Sequence, residues 1–119
     1  MEIRARFYNN VAIMSPYGRF DSLAANSFEE AALAHLGNGY HRFVLDMQGV
    51  EFLNSAAIRS IISVAKRSRE AGGDIRLASV RPTVKYVLNL TGVERVVRIF
   101  PNVVAATASY FPGPMVDQR

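Results

Sequence analysis

The sequence predicts an α/β domain, a mixed, mostly parallel β-sheet with an N-terminal hairpin and about four α-helices packed on it. Three observations lead there. At 119 residues, half of them hydrophobic, the chain can bury one core and is too short for two. It opens with two apolar runs separated by the turn-prone pair Asn9 and Asn10. From Phe43 onward, strand-like and helix-like patterns take turns, which demands crossover connections and parallel pairing.

Taken in order, "EIRARFY" alternates Ile3, Ala5 and Phe7 with Arg4 and Arg6, and "VAIMS" follows the asparagines, which predicts the hairpin. From Ser22 the spacing turns helical, with Leu23, Ser27, Ala31 and Ala34 alongside Phe28 and Ala32, until "GNG" stops the run at Gly37. Asp21, just before it, suits the N-cap region. "RFVLDM" is short and apolar enough at Phe43, Val44 and Leu45 for a central strand buried on both faces, with Asp46 ordering the turn that follows. The helix after Asn54 has the clearest period: Ile58, Ile61, Ile62 and Ala65 point inward and Arg59, Ser63, Lys66 and Glu70 outward. "AGG" ends it at Gly72. "DIRLASV" alternates as a strand, Pro82 sits where a first helical turn tolerates it, and "TVKYVLNLTG" makes a third helix closed by Gly92. "RVVRIF" predicts a last short strand and "NVVAATASYF" a final helix. Residues 1–111 thus form one domain, and 112–119 a loose C-terminal tail, since two prolines and a glycine leave little there to bury.

Composition excludes several classes of function. The absence of cysteine removes disulfides, a thiolate nucleophile and cysteine-based zinc sites, which suits a reducing, cytoplasmic location. No apolar run approaches the roughly 18 residues of a membrane span, and the start lacks the charged flank and apolar core of a secretion signal. The net charge of +4 is spread from Arg4 to Arg119 rather than gathered into one arm or stripe with aromatic stacking platforms. It fits a solvated surface facing an acidic partner better than a nucleic-acid stripe. No closely spaced histidine pair and no calcium-loop spacing of acids predicts a metal, and His35 and His41 fit packing or surface roles. No glycine-rich phosphate loop follows a strand, which argues against a nucleotide-binding module and leaves no cofactor to assign.

The stretch "FLNSAAIRS" holds the chemistry. A helix start leaves its first amides unpaired, and asparagine is among the best acceptors for them, so Asn54 reads as the N-cap and Ser55 as the first helical residue. The same amides, near Ala56 and Ala57, and the positive end of the helix dipole also make a favourable seat for a phosphate on Ser55. Cap alone and phosphate acceptor both stand open on the residues themselves. Hydrolysis is a poor fit: Ser55 could be a nucleophile, but no motif places a histidine beside it and the pattern Gly-x-Ser-x-Gly is absent. The expectation is a chain that is not an enzyme.

The ordered set "VLDM", "GVEFLNS", "AGGDIRLASV" and "LTGVERVVRIFP" resembles the STAS domain, and within it the bacterial anti-sigma factor antagonists, from about Glu2 to Tyr110. "YGRFDS" resembles the family's Gly-x-Leu-Asp element, with Phe20 for the leucine and Asp21 for the aspartate. The resemblance implies a STAS-like fold and a regulatory, protein-binding domain that antagonises an anti-sigma factor serine kinase by partner switching. In that family the loop before the helix reads Asp-Ser, then Ser, Thr or Ala, then Gly; the kinase phosphorylates the serine and a metal-dependent serine phosphatase resets it. Ser55 stands at that position, with Asn54 in place of the aspartate and Ala57 in place of the glycine. The implied partner-binding set is Asp21, Ser22, Asn54, Ser55, Ala56 and Ala57, to which the outer-face position of Arg59 adds a cation that would steer association. The ATP belongs to the kinase. The alternative is a STAS subunit of a membrane transport or sensory complex in which Ser55 is structural and unphosphorylated.

Overall fold

The computed structural model describes residues 2–112, and the chain runs β1 (Glu2–Tyr8), β2 (Val11–Phe20), α1 (Ser22–Gly37), β3 (Arg42–Asp46), β4 (Val50–Leu53), α2 (Ser55–Glu70), β5 (Asp74–Ala78), α3 (Pro82–Thr91), β6 (Ile99–Phe100) and α4 (Val103–Ala108). The sheet order is β1-β2-β3-β5-β6, antiparallel only at the opening hairpin, with β4 added beside the second half of β2. This is the mixed, mostly parallel sheet with hairpin and four helices that the sequence predicts. The expected tail lies, apart from Pro112, outside the described residues.

Strand alternation divides the core in two. Ala12, Met14, Phe43, Leu45, Ile75 and Leu77 pack on the face covered by α1, α2 and α3. Val11, Ile13, Val44 and Ala78 point the other way, under Ala106 and Tyr110 at the α4 end. β3 is buried on both sides, as expected of a central strand. The Tyr110 hydroxyl donates to the Phe43 carbonyl at 2.9 Å, and burial pushes its pKa above the ordinary phenol value, so it remains a donor. Asp46 orders its turn as expected, accepting from the Gln48 amide at 3.2 Å and from Ser15 Oγ at 3.3 Å. Where β5 enters beside β3, the Asp74 amide donates to the His41 carbonyl at 3.0 Å, and a Cβ on Gly73 would lie 1.7 Å from that oxygen. Only glycine fits.

Five elements differ from the sequence reading. β2 continues for ten residues through Pro16 and Gly18. Its β3 partners end at Met14 and its β4 partners begin at Gly18, so the proline's missing N–H falls at the handover between neighbours. β4 itself was not expected; it is four residues long, with only Val50 and Leu53 buried. In α1 the buried set is Ala24, Ala25, Phe28 and Ala32, while Leu23 is 75% exposed, because a helix this rich in alanine presents no single apolar stripe to fix its phase. In α2, Val64 joins Ile58, Ile61 and Ala65 inside, and Ile62 is exposed. Finally, "RVVRIF" contributes only Ile99–Phe100 as strand; Val93–Arg95 forms a 3₁₀ turn, and Val97 anchors the segment in the core instead.

Candidate functional site

Two helices begin side by side at the ends of adjacent parallel strands. Phe20 and Leu53 are paired in register at the last positions of β2 and β4, and α1 and α2 start just beyond them. The Asn54 amide donates to the Phe20 carbonyl at 3.2 Å, tying the second helix start to the strand that leads into the first. Each start carries the cap expected of it. Asp21 Oδ1 accepts from the Ala24 amide at 3.1 Å, and Asn54 Oδ1 accepts from the Ala57 amide at 3.1 Å. The caps are joined, since Asn54 Nδ2 donates to Ser22 Oγ at 3.4 Å.

The positive ends of two helix dipoles therefore converge; the capping carboxylate of Asp21 offsets the α1 end, whereas the α2 start has only the neutral Asn54 cap and no acidic side chain in its first turn. Ser55 and Ser22 are exposed, Asp21, Asn54 and Ala56 half-buried. Ala57 is fully buried and its amide is taken by Asn54, so its side chain belongs to the core. Arg59 is exposed one turn beyond Ser55, the spacing at which helical side chains are neighbours, and makes no ion pair or hydrogen bond among the described residues. The structure thus gathers Asp21, Ser22, Asn54 and Ser55 at one junction with Arg59 beside it. His35 packs instead on the rings of Phe7 and Tyr40.

Sequence reasoning missed two surface features of this junction. Leu23, read from the sequence only as part of the helical spacing, stands exposed next to Ser22; a helical wheel phased on Phe28 turns it outward. On the strands, the Arg19 guanidinium lies 4.0 Å over the Phe52 ring, and these two are register partners one step before Phe20 and Leu53. The pair was invisible without β4. Both place exposed apolar area beside the caps.

Asn54 provides a direct test of the cap. Asn54→Ala is expected to cost about 0.5–2 kcal/mol in the denaturant midpoint, because the Ala57 amide loses its acceptor, whereas Ser55→Ala leaves stability nearly unchanged. Equal shifts would mean that Ser55 shares the capping role.

Known proteins resemble this chain in sequence and fold. BtrV of Bordetella bronchiseptica, provisionally named an anti-sigma factor antagonist, is 28% identical over 93 residues, covering 78% of this chain and 80% of that protein. A crystal structure from Thermotoga maritima, provisionally given the same function, superposes with a TM-score of 0.84 at 25% identity, over 90% of this chain and 92% of that one. The fold also recurs inside a larger protein, the murine Solute Carrier 26 family member A9 anion transporter, with a TM-score of 0.74 at 21% identity over 89% of this chain and 18% of the transporter. No helix among the described residues is long and apolar enough to cross a membrane. With its sheet, its paired helix starts and a STAS domain match running over residues 2–106, the chain belongs to the STAS domain family.

Proposed function

We propose that this chain is a cytoplasmic anti-sigma factor antagonist that works by partner switching and has no catalytic activity of its own. Unphosphorylated, the junction of α1 and α2 docks on an anti-sigma factor serine kinase and displaces the sigma factor. The kinase then transfers the γ-phosphoryl group of ATP to Ser55: the Ser55 Oγ–P bond forms, the bond from that phosphorus to the ADP oxygen breaks, and the hydroxyl proton leaves to a base on the kinase. A metal-dependent serine phosphatase returns the chain to its docking form.

The observation that carries this reading is a division of labour at the helix start. Asn54 does the capping, so the exposed Ser55 hydroxyl can gain a phosphate without loosening α2. The added charge of about −1.5 to −2 would sit at the N-terminus of α2, which favours it, and within reach of Arg59. Phosphorylation would then act twice, by adding charge at the surface and by drawing Arg59 away from an acidic partner. The names of the relatives point to the same class of work.

The test is intact-mass measurement after incubation with an anti-sigma factor kinase and ATP. One added phosphate, lost in Ser55→Ala, is the expected result, and Asn54→Asp is expected to raise its rate by restoring the carboxylate found beside the acceptor in this family. No phosphate on either form sinks the proposal. Asn54 is also the observation that favours a second reading, a STAS subunit of a membrane transport or sensory complex with a purely structural Ser55. Affinity capture separates the two, by recovery of an ATP-binding kinase or of transporter subunits.

A further inference from the structure

A second surface lies on the face of the sheet turned away from α1 and α2. α4 packs mainly on β3, β5 and β6, with Val11 and Ile13 of β2 buried at its margin, so β1 is left exposed beside it. Between β1 and α4 runs a groove of about 700 Å³. That volume is within the range of small-molecule pockets, about 300–1,000 Å³. Ile13 forms the buried floor, Val104 rises as a wall with 77% of its surface exposed, and the rings of Tyr8 and Phe111 meet edge to face with centroids 6.1 Å apart.

The polar groups of the groove are unusual in having nothing to do. No acidic residue lines it, and its one charge, Arg6, makes no ion pair or hydrogen bond among the described residues. Arg4, on the same side of β1, is by contrast held by Glu2 at 2.7 Å. In the α4 wall the Thr107 hydroxyl is buried and lacks any hydrogen-bond partner. A buried hydroxyl left unpaired is destabilising, and a turn about the Thr107 side-chain bond would present it to an acceptor in the groove. Apolar floor and wall, an unpaired guanidinium and a donor without an acceptor together describe the complement of an amphipathic anion.

We propose that this groove binds a small amphipathic organic acid, its carboxylate held between Arg6 and the Thr107 hydroxyl and its apolar body laid over Ile13 between Tyr8 and Val104. The site is independent of Ser55 and of the kinase-binding reading. The probe is sodium decanoate, with decanol and decyltrimethylammonium as its neutral and cationic counterparts, followed by amide chemical shifts of the ¹⁵N-labelled chain. Decanoate below its micellar range is expected to give saturable shifts clustered at Tyr8, Ile13, Val104 and Thr107. Arg6→Gln should weaken it about tenfold, the loss of one charge-assisted hydrogen bond, and Thr107→Val should weaken it severalfold. Decanol should be insensitive to Arg6→Gln. Equal affinity for decanoate and the cation, or unchanged decanoate affinity in both variants, overturns the proposal. So do shifts at these residues that depend on protein concentration alone, which would make a second copy the occupant, and cosedimentation with phosphatidylglycerol vesicles in place of saturable decanoate binding, which would make it a membrane surface.

Discussion

Ile61→Ala is expected to destabilise the domain by about 2–5 kcal/mol, while Ile62→Ala, one residue along the same helix, costs no more than about 1 kcal/mol. Ile61 is fully buried in the core between α2 and the sheet, among Phe43, Leu45 and Ile75 in the same cluster, and a truncated side chain there leaves a cavity that rigid neighbours on two strands cannot fill. Ile62 is 39% exposed and borders solvent beside Val96, so its truncation opens no enclosed space. Denaturant midpoints at constant slope measure both. Because most small domains hold only about 5–15 kcal/mol in reserve, the first variant should be near the edge of folding at 37 °C and the second unaffected. Equal shifts would place the wrong face of α2 against the sheet.

For function, the largest effect should come from Ser55→Glu, which is expected to fold like the wild type and bind the kinase partner on the order of 10–100-fold more weakly. A carboxylate at the start of α2 is compatible with the helix, whose dipole favours it, but at a docking surface it brings desolvation and repulsion of acidic groups opposite. Ser55→Ala should do the reverse: bind at least as well as the wild type and resist release when ATP is added. Binding isotherms for the three forms against the isolated kinase decide the matter, with thermal melts as the control for folding. If Ser55→Glu binds as tightly as the wild type while its melt is unchanged, the helix start is a structural junction and the partner docks elsewhere.

Both caps could be read from the sequence because capping is local: Asp21 and Asn54 each act on an amide three residues ahead. That the two caps meet could not be read, since it depends on β4 pairing with β2 across thirty-odd residues of intervening chain. β4 has few local marks of its own, with Phe52 partly exposed where an apolar residue suggests burial. The same limit explains Leu23. In α2 four isoleucine or valine residues against lysine and arginine fix which face is inward except at Ile62 and Val64, whereas α1 offers mostly alanine and its phase is set by where Phe28 meets Phe20, 5.6 Å between ring centroids. Long-range pairing, rather than weak propensity, hid the parts of the site that sequence did not reveal.

The hairpin leaves one sheet margin open, since among the described residues β1 bonds only to β2 and its outer rim of backbone groups has no neighbour. Such a rim is a template on which identical chains can zip together into fibrous aggregates. The residues of β1 counter this by arithmetic. The fullest antiparallel self-pairing of Glu2–Tyr8 centres on Ala5, keeps Ile3, Ala5 and Phe7 on a common side, and sets Arg4 against Arg6 in two pairs. Each pair brings like charges directly across the seam, where they repel. The alternation that lets the first strand join its own sheet thus also keeps it from joining another molecule's.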